Sequence, residues 1–347
     1  MAHWIERPSP DADCTIIAEV AQAHDGSLGA AHAMIDAAAE AGVDAVKFQT
    51  HIAEAESSPH EPWRKKFSKQ DETRFDYWRR MEFTEPQWHG LKDHAAERGL
   101  MFISSPFSLE AVALLKRVGV AAWKVASGEI TNTPMIDAMC DTGAPVIVST
   151  GMSDLTEIRS TMALISARGV PAALLQCATS YPTSPDQVGI NLLDVFRREL
   201  GVAVGLSDHS ATVFPGIIGA FLGAQIIEVH LTLTRRAFGP DVGASLTVEE
   251  MAELVRGVRY AEAMRRNPVA KTAVGDDMQA MRAIFMKSVV ALRDIAAGEV
   301  LRTEDLGTRK PGSGIAANRI DTVVGRRLAR PVSRLTPLVE DDLVARS

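Results

Sequence analysis

The sequence predicts a (β/α)8 barrel, the TIM-barrel architecture, followed by a small C-terminal domain. Three observations carry that expectation. Between residue 15 and about residue 266, eight short apolar runs alternate with Ala-rich amphipathic stretches. Most of those runs end on polar, chemically useful residues, as strands do at the rim of a barrel that holds a site. Beyond Met264 the alternation stops and a different pattern begins. A doubly wound open sheet is the alternative, and eight consecutive units favour closure.

Taken in order, the expected strands are Thr15–Val20, Ala45–Gln49, Leu100–Ser104, Ala121–Ala126, Pro145–Ser149, Ala172–Cys177, Val202–Leu206 and Gln225–Val229. Helical spacing marks Leu28–Ala41, Glu85–Arg98, Leu109–Val118, Pro134–Asp141, Asp154–Ala167 and Val248–Met264, with Ala211–Gly223 as the crossover before the last strand. Thr84-Glu-Pro-Gln87 and Thr247-Val-Glu-Glu250 are capping-box patterns, in which side chains satisfy the orphan amides of a first turn. Gly42, Gly99, Gly119 and Gly169 stand where helices end on a left-handed residue. One connection is unusually long: Ala53 to Phe83, with Trp63, Arg64, Lys65, Lys66, Lys69, Tyr77, Trp78, Arg79 and Arg80. Following the second strand, it reads as a lid over the barrel mouth, with a surface excursion or a subunit contact as the plainer reading. The expected division is 1–266 for the barrel, 267–285 for a linker and 286–347 for the second domain. A core so small needs to dock against a barrel.

Composition bounds the function. A chain of 347 residues, 46% apolar with mean hydropathy +0.01, has ample material for a globular core. No apolar run approaches the roughly 20 residues of a membrane span. The opening Met1-Ala-His-Trp-Ile-Glu-Arg-Pro lacks the apolar segment of a secretory signal, so a cytoplasmic location is expected. Cys14, Cys140 and Cys177 have no metal-type spacing and suit reduced, buried thiols. A net charge of −7 argues against nucleic acid or an anionic membrane as partner, while leaving room for a small anion in a lysine-lined pocket.

The strand ends carry the chemistry. His209 and His230 close two successive runs 21 residues apart, the length of one strand–helix–strand step, which brings both imidazoles to one rim within reach of a shared cation. Zn, Mn and Fe all accept imidazole, so spacing leaves the metal open. Glu19 ends the first run and leads into Gln22, His24 and Asp25. Lys47 and Gln49 share one side of the second strand by the two-residue alternation of strands. Ser105 and Phe107 follow the third, Lys124, Ser127 and Glu129 the fourth, Ser149 the fifth, and Thr179 and Tyr181 the sixth. Asp208, Glu228 and Asp241 belong to the last two units. A lysine within an apolar strand loses several kcal/mol of hydration unless it meets an anion, so Lys47 and Lys124 imply a buried anionic ligand or structural ion pairs with Glu19 or Glu129. Together these residues describe a divalent metal, an anion pocket and a carboxylate free to handle water or a proton.

The runs Ile17-Ala-Glu-Val, His24-Asp-Gly-Ser27, Val46-Lys-Phe-Gln-Thr50, Ile103-Ser-Ser-Pro-Phe107, Lys124-Val-Ala-Ser-Gly-Glu129, Ser149-Thr-Gly-Met152, Ser180-Tyr-Pro-Thr183, Gly205-Leu-Ser-Asp-His209 and Gly239-Pro-Asp241 resemble the sialic acid synthase family. From Ser288-Val-Val-Ala through Lys310-Pro-Gly-Ser-Gly314 to Gly325, the C-terminal part resembles that family's antifreeze-like SAF domain. The resemblance implies condensation of phosphoenolpyruvate with an N-acylated mannosamine-type aldose to a nine-carbon 2-keto-3-deoxy acid and phosphate. It implies Mn or Mg on His209 and His230. Lys47, Lys124, Ser127, Ser149 and Thr179 would hold phosphoenolpyruvate. Gln49, Ser105, Phe107, Tyr181 and Asp241 would line the sugar side, with Glu129 between the substrates and Glu19 directing water. It also implies a homodimer with swapped C-terminal domains, in which an arginine contacts the sugar's acyl group. That position is Lys310 here, with Arg309 one residue earlier, and lysine lacks the planar fork of arginine. Ala23 replaces the family's usual asparagine, and the 53–83 connection departs from the commoner members. Both bear on the choice of sugar. Two other readings compete: a Schiff-base aldolase using Lys47 or Lys124, and a non-catalytic carbohydrate-binding protein.

Overall fold

The computed structural model describes residues 5, 12–63, 66–272 and 274–345, so Arg64 and Lys65 of the long connection lie outside the described residues. The chain divides into two compact units, Met1–Pro268 and Val269–Ser347.

In the first unit eight parallel strands close into a barrel in sequence order. They are β1 (Thr15–Ala21), β2 (Ala45–Thr50), β3 (Met101–Pro106), β4 (Ala122–Val125), β5 (Val146–Ser149), β6 (Ala172–Cys177), β7 (Ala203–Asp208) and β8 (Ile226–His230). Closure is made by β1 against β8, with Glu19 in register with His230, while on its other side Glu19 is in register with Lys47. The connecting helices are α1 (Leu28–Ala41), α2 (Ala53–Glu56), α3 (Arg74–Met81), α4 (Glu85–Glu97), α5 (Leu109–Val118), α6 (Thr133–Cys140), α7 (Leu155–Ala167), α8 (Leu192–Leu200), α9 (Phe214–Phe221) and α10 (Val248–Arg266). None of the described helices is long and apolar enough to cross a membrane.

The caps expected from the sequence form. Thr247 accepts from the Glu250 amide, and the Gln87 side chain accepts the Thr84 N–H at 2.8 Å. Outward strand positions such as Val46, Phe48, Trp123, Val148 and Ile227 pack on the helices as one continuous core. At about 1.5–3 kcal/mol for each large apolar side chain, this layer holds the barrel closed.

The second unit begins with α11 (Asp276–Phe285), a helix within the stretch expected to be a linker, and contains the antiparallel pair β9 (Ser288–Ala291) and β10 (Leu306–Arg309). Its core is small: Val289, Ala291, Ile295, Leu301, Leu306, Ile315 and Leu338 are among its buried members. Ser288 Oγ donates to the Pro311 carbonyl at 2.7 Å and accepts from the Gly314 amide at 2.9 Å, which pins the Lys310–Gly314 loop to β9. A β-carbon at Gly314 would stand 2.4 Å from the Leu338 carbonyl oxygen, so only glycine fits.

Candidate active site

Because side chains alternate along a strand, the inward positions of each strand form a series. Their first members, Ile17, Ala45, Ile103, Ala122, Ile147, Ala173, Ala203 and Ile226, make a buried apolar plug together with Leu175 and Ile5. Two residues further along, the same face turns polar: Glu19, Lys47, Ser105, Lys124, Ser149 and Glu228, all buried. A polar layer resting on an apolar floor, at the C-terminal ends of parallel strands, is the geometry of a barrel active site.

Four charged groups meet there. Lys47 Nζ lies 2.7 Å from Glu19 Oε2 and 3.6 Å from Glu228 Oε1. Lys124 Nζ lies 3.9 Å from Glu228 Oε1 and donates to Ser149 Oγ at 2.7 Å and to the Val125 carbonyl at 3.2 Å. Burial opposes the charge on Lys47, but Glu19 and Glu228 outweigh it and hold the ammonium above the usual lysine range. Burial dominates at Lys124 and pulls its amine below that range, with Glu228 offsetting only part. Burial also opposes ionisation of Glu228, but Lys124 and Lys47, helped by His230, hold its carboxyl well below the ordinary value. Glu228 further accepts from Ser207 Oγ at 3.1 Å, while its Oε2 is buried with no hydrogen-bond partner among the described residues. Glu19 accepts from Gln49 Nε2 at 2.8 Å, and Ser105 Oγ lies 3.4 Å from Lys47 Nζ.

Beside this quartet stand the two imidazoles. The ring centroids of His209 and His230 are 5.2 Å apart, and Tyr181 stacks on His209 at 4.0 Å. His209 Nδ1 donates to the Ala178 carbonyl at 2.8 Å, which leaves the Nε2 lone pair free to accept from Tyr181 Oη at 3.0 Å. Burial, reinforced by His230, pushes His209 down to about 3, so the ring is a neutral donor at any ordinary pH. Among the described residues, no group of three or more His, Cys, Asp and Glu side chains converges on one metal position.

The remaining residues expected from the sequence spread around this centre. Ser127 Oγ accepts from the Gly151 amide at 3.1 Å and donates to Cys177 Sγ at 3.6 Å. Cys177 is buried, and its thiol is held above the usual range chiefly by that burial. Thr179 is exposed, with its methyl over Gly151. Glu129 accepts from Asn132 Nδ2 at 2.7 Å. Asp241 caps a turn through its carbonyl, which accepts from Ser245 Oγ at 2.8 Å. Arg309 and Lys310 belong to the second unit: Arg309 donates to the Thr308 carbonyl at 2.9 Å, and Lys310 Nζ lies 5.1 Å from the centre of the Phe285 ring. In the sequence Glu228 is a strand-end carboxylate without a role, yet in the fold it faces both lysines. Its signal is its place two residues before His230, on the same inward face.

The described part of the long connection after β2 contains α2 and α3. Arg80 ties it down, pairing with Asp25 at 2.7 Å and Asp71 at 2.8 Å. A β-carbon at Gly26 would stand 2.3 Å from the Arg80 carbonyl oxygen, so the turn after β1 and this segment fit only with glycine there. Trp78 stacks on His51 at 4.2 Å, and Phe67 reaches Phe238 of the segment after β8 at 6.1 Å.

The chain is similar to known proteins in sequence and fold. The N,N'-diacetyllegionaminic acid synthase of Legionella pneumophila is 32% identical over 340 residues, covering 96% of this chain and 95% of its own. The human N-acetylneuraminate-9-phosphate synthase is 31% identical over 347 residues, covering 98% and 93%. Among solved structures, the N-acetylneuraminic acid synthetase of Leptospira borgpetersenii superposes with a TM-score of 0.68 at 28% identity, over 78% of this chain and 90% of that one. The SAF domain matches residues 287–344, and with residues 34–269 matching the NeuB family, the chain belongs to that family.

Proposed function

We propose that this protein condenses phosphoenolpyruvate with an N-acylated mannosamine-type aldose and water, releasing phosphate and a nine-carbon 2-keto-3-deoxy acid. The observation that carries the reading is the facing of two buried lysines, Lys47 and Lys124, by two imidazoles 5.2 Å apart at one barrel mouth. The relatives named above are synthases of such acids, which supports the same reading.

In this reading Lys47 and Lys124 bind the carboxylate and phosphate of the donor, with hydroxyls from Ser149 and Ser127 and the Gly151 amide nearby. That grip holds the enol carbon within attack distance of the sugar's aldehyde carbon, saving the entropy of bringing two solutes together. The new C–C bond forms between those carbons, and positive charge develops on the adjacent donor carbon. Glu19 and Glu228 face that charge in a water-poor site. Glu19 orients and deprotonates the water that adds there, and the adduct then expels phosphate. Gln49, Ser105, Phe107, Tyr181 and Asp241 are the sugar-side residues, with Glu129 between the substrates and Thr179 on the donor side.

The neutral His209 imidazole with its fixed tautomer, beside the His230 ring, fits a divalent cation, and Mn or Mg suits a shell completed by substrate and water oxygens. His209 and His230 would hold it. When bound, the ion supplies Lewis-acid polarisation of the aldehyde oxygen. The proposal includes a homodimer whose exchanged SAF domain brings Arg309 or Lys310 to the acyl group. Loss of acceptor turnover in a chain ending at Phe285 is the expected result, and full activity of that chain would remove the second domain from the site.

A Schiff-base aldolase is the second reading, favoured by the burial that pulls the Lys124 amine down. Phosphate release from phosphoenolpyruvate distinguishes the two. It is measured against N-acetylmannosamine, its 6-phosphate and 2,4-diacetamido-trideoxy hexoses, with and without a chelator. Chelator-sensitive phosphate release supports the synthase. Borohydride trapping of substrate on lysine, with turnover indifferent to chelator, overturns it.

A further inference from the structure

His51, directly after β2, has no part in the reaction proposed above, yet it is 3% exposed and held on every side. Its ring lies between Trp78 at 4.2 Å and Phe107 at 4.7 Å, within 17° and 9° of parallel. Nδ1 is 2.8 Å from Glu56 Oε1, and Nε2 is 3.3 Å from Gln22 Nε2. A carboxylate only accepts, so Nδ1 carries the proton and Nε2 offers its lone pair to the Gln22 amide. Gln22 Nε2 spends its other hydrogen on Gln49 Oε1 at 2.5 Å, and Gln49 Nε2 donates to Glu19 Oε1 at 2.8 Å. Each bond in this chain has one possible direction once Glu56 has set the first.

We propose that the His51–Glu56 pair is a positioning device for Glu19, fixing which way two amides face and through them where the carboxylate points. The inference rests on the reading above in taking Glu19 as the reactive carboxylate. Were His51 to present N–H at Nε2, Gln22 would turn its oxygen toward it. That oxygen would leave the Gln22 amide hydrogens unable to reach Gln49 Oε1 as they do now. Gln49 would turn in its turn, and its oxygen would face the Glu19 carboxylate, acceptor against acceptor. Such a reversal leaves a buried carboxylate oxygen unpaired, which proteins avoid strongly. The stacked rings forbid the imidazole from swinging out of the chain. His51 and Glu56 are therefore positioning residues, since neither touches the reacting atoms.

The test uses His51→Phe, which keeps a ring between Trp78 and Phe107 but removes both nitrogens, and His51→Gln, which restores an acceptor toward Gln22. In the full chain, His51→Phe should lower kcat of phosphate release by roughly 10–100-fold, the scale of a slightly misplaced group. KM for phosphoenolpyruvate should stay within about threefold, because Lys47 and Lys124 are untouched. His51→Gln should recover most of the lost kcat. A crystal structure of His51→Phe should show the Gln49–Glu19 contact broken or Glu19 in a second rotamer. Wild-type kcat in His51→Phe, equal impairment in both variants, or an unmoved Gln22–Gln49–Glu19 chain overturns the proposal. If no sugar supports turnover by the wild type, the synthase reading fails, and the crystal structure alone still decides the positioning role. Should His51→Phe not fold, Glu56→Leu, which lies outside the stack and releases the tautomer, replaces it: a lowered kcat with a displaced Glu19 supports the proposal, and wild-type kcat overturns it.

Discussion

Replacing Glu19 by glutamine preserves shape and removes one charge, so its consequences can be worked from distances. Glu19 accepts from Gln49 Nε2 at 2.8 Å and stands 2.7 Å from Lys47 Nζ. With an effective dielectric constant of about 20, the lost attraction to Lys47 is about 6 kcal/mol, and Glu228 at 3.6 Å still supplies about 4.6 kcal/mol. Lys47 therefore keeps one carboxylate partner in Glu19→Gln, and its hold on an anionic donor is expected to survive. An amide has one acceptor oxygen where the carboxylate had two, so one donor is left facing an NH2 group, at a cost of about 1–3 kcal/mol in stability. Lost general-base action should lower kcat by about 10²–10⁴-fold. KM for phosphoenolpyruvate should change by less than about tenfold. Steady-state phosphate release across a phosphoenolpyruvate series measures both. A kcat within about threefold of wild type would remove Glu19 from the chemistry, and a raised KM with unchanged kcat would make it a binding group.

Three further outcomes are expected. His209→Ala and His230→Ala should each abolish Mn or Mg stimulation of turnover and metal binding by calorimetry; metal-stimulated rates at the wild-type level would contradict the pair's role. Gly205→Ala should destabilise the barrel by at least about 1–3 kcal/mol in denaturant unfolding, because the new β-carbon would stand 2.2 Å from the Ile226 carbonyl oxygen; an unchanged midpoint would contradict it. Burial, with His51 and Arg80 adding to it, lowers His24 from 6.5 to about 3. The unfolded chain thus binds the extra proton between those values, and stability present above pH 6.5 is lost as pH falls toward 3, by about 4 kcal/mol at about 1.4 kcal/mol per pH unit. His24→Gln should flatten that slope, and an identical slope would refute the assignment.

The barrel is legible in the sequence because its strands are short apolar runs, most with a polar residue at or near the C-terminal end, and because Gly42, Gly99, Gly119 and Gly169 close helices with positive φ. Lys47 and Lys124 are visible as charges inside such runs. Glu228 is harder to weigh, because its importance lies in facing both lysines across the barrel, a relation between strands that no local spacing shows. Sequence periodicity does not reveal α3 within the long connection, because Arg74–Met81 is mostly polar and aromatic, and its helix is secured by Arg80, Asp25 and Asp71. α8 is hidden for a similar reason: Leu192–Leu200 carries four charged residues, and only Leu193 and Phe196 are buried. His51 gives no signal at all, since its meaning depends on two rings and two amides drawn from segments far apart in the chain.

Counted as ions, Lys47, Lys124, Glu19 and Glu228 cancel. A phosphorylated enol acid brings two or three negative charges to a neutral cradle, so the complex needs a counter-ion from solution, either a metal on the imidazoles or a proton on a carboxylate. Donor affinity should then climb with divalent ion concentration. In the absence of metal, binding should draw protons from the buffer, visible as a heat that varies with the buffer's own ionisation enthalpy.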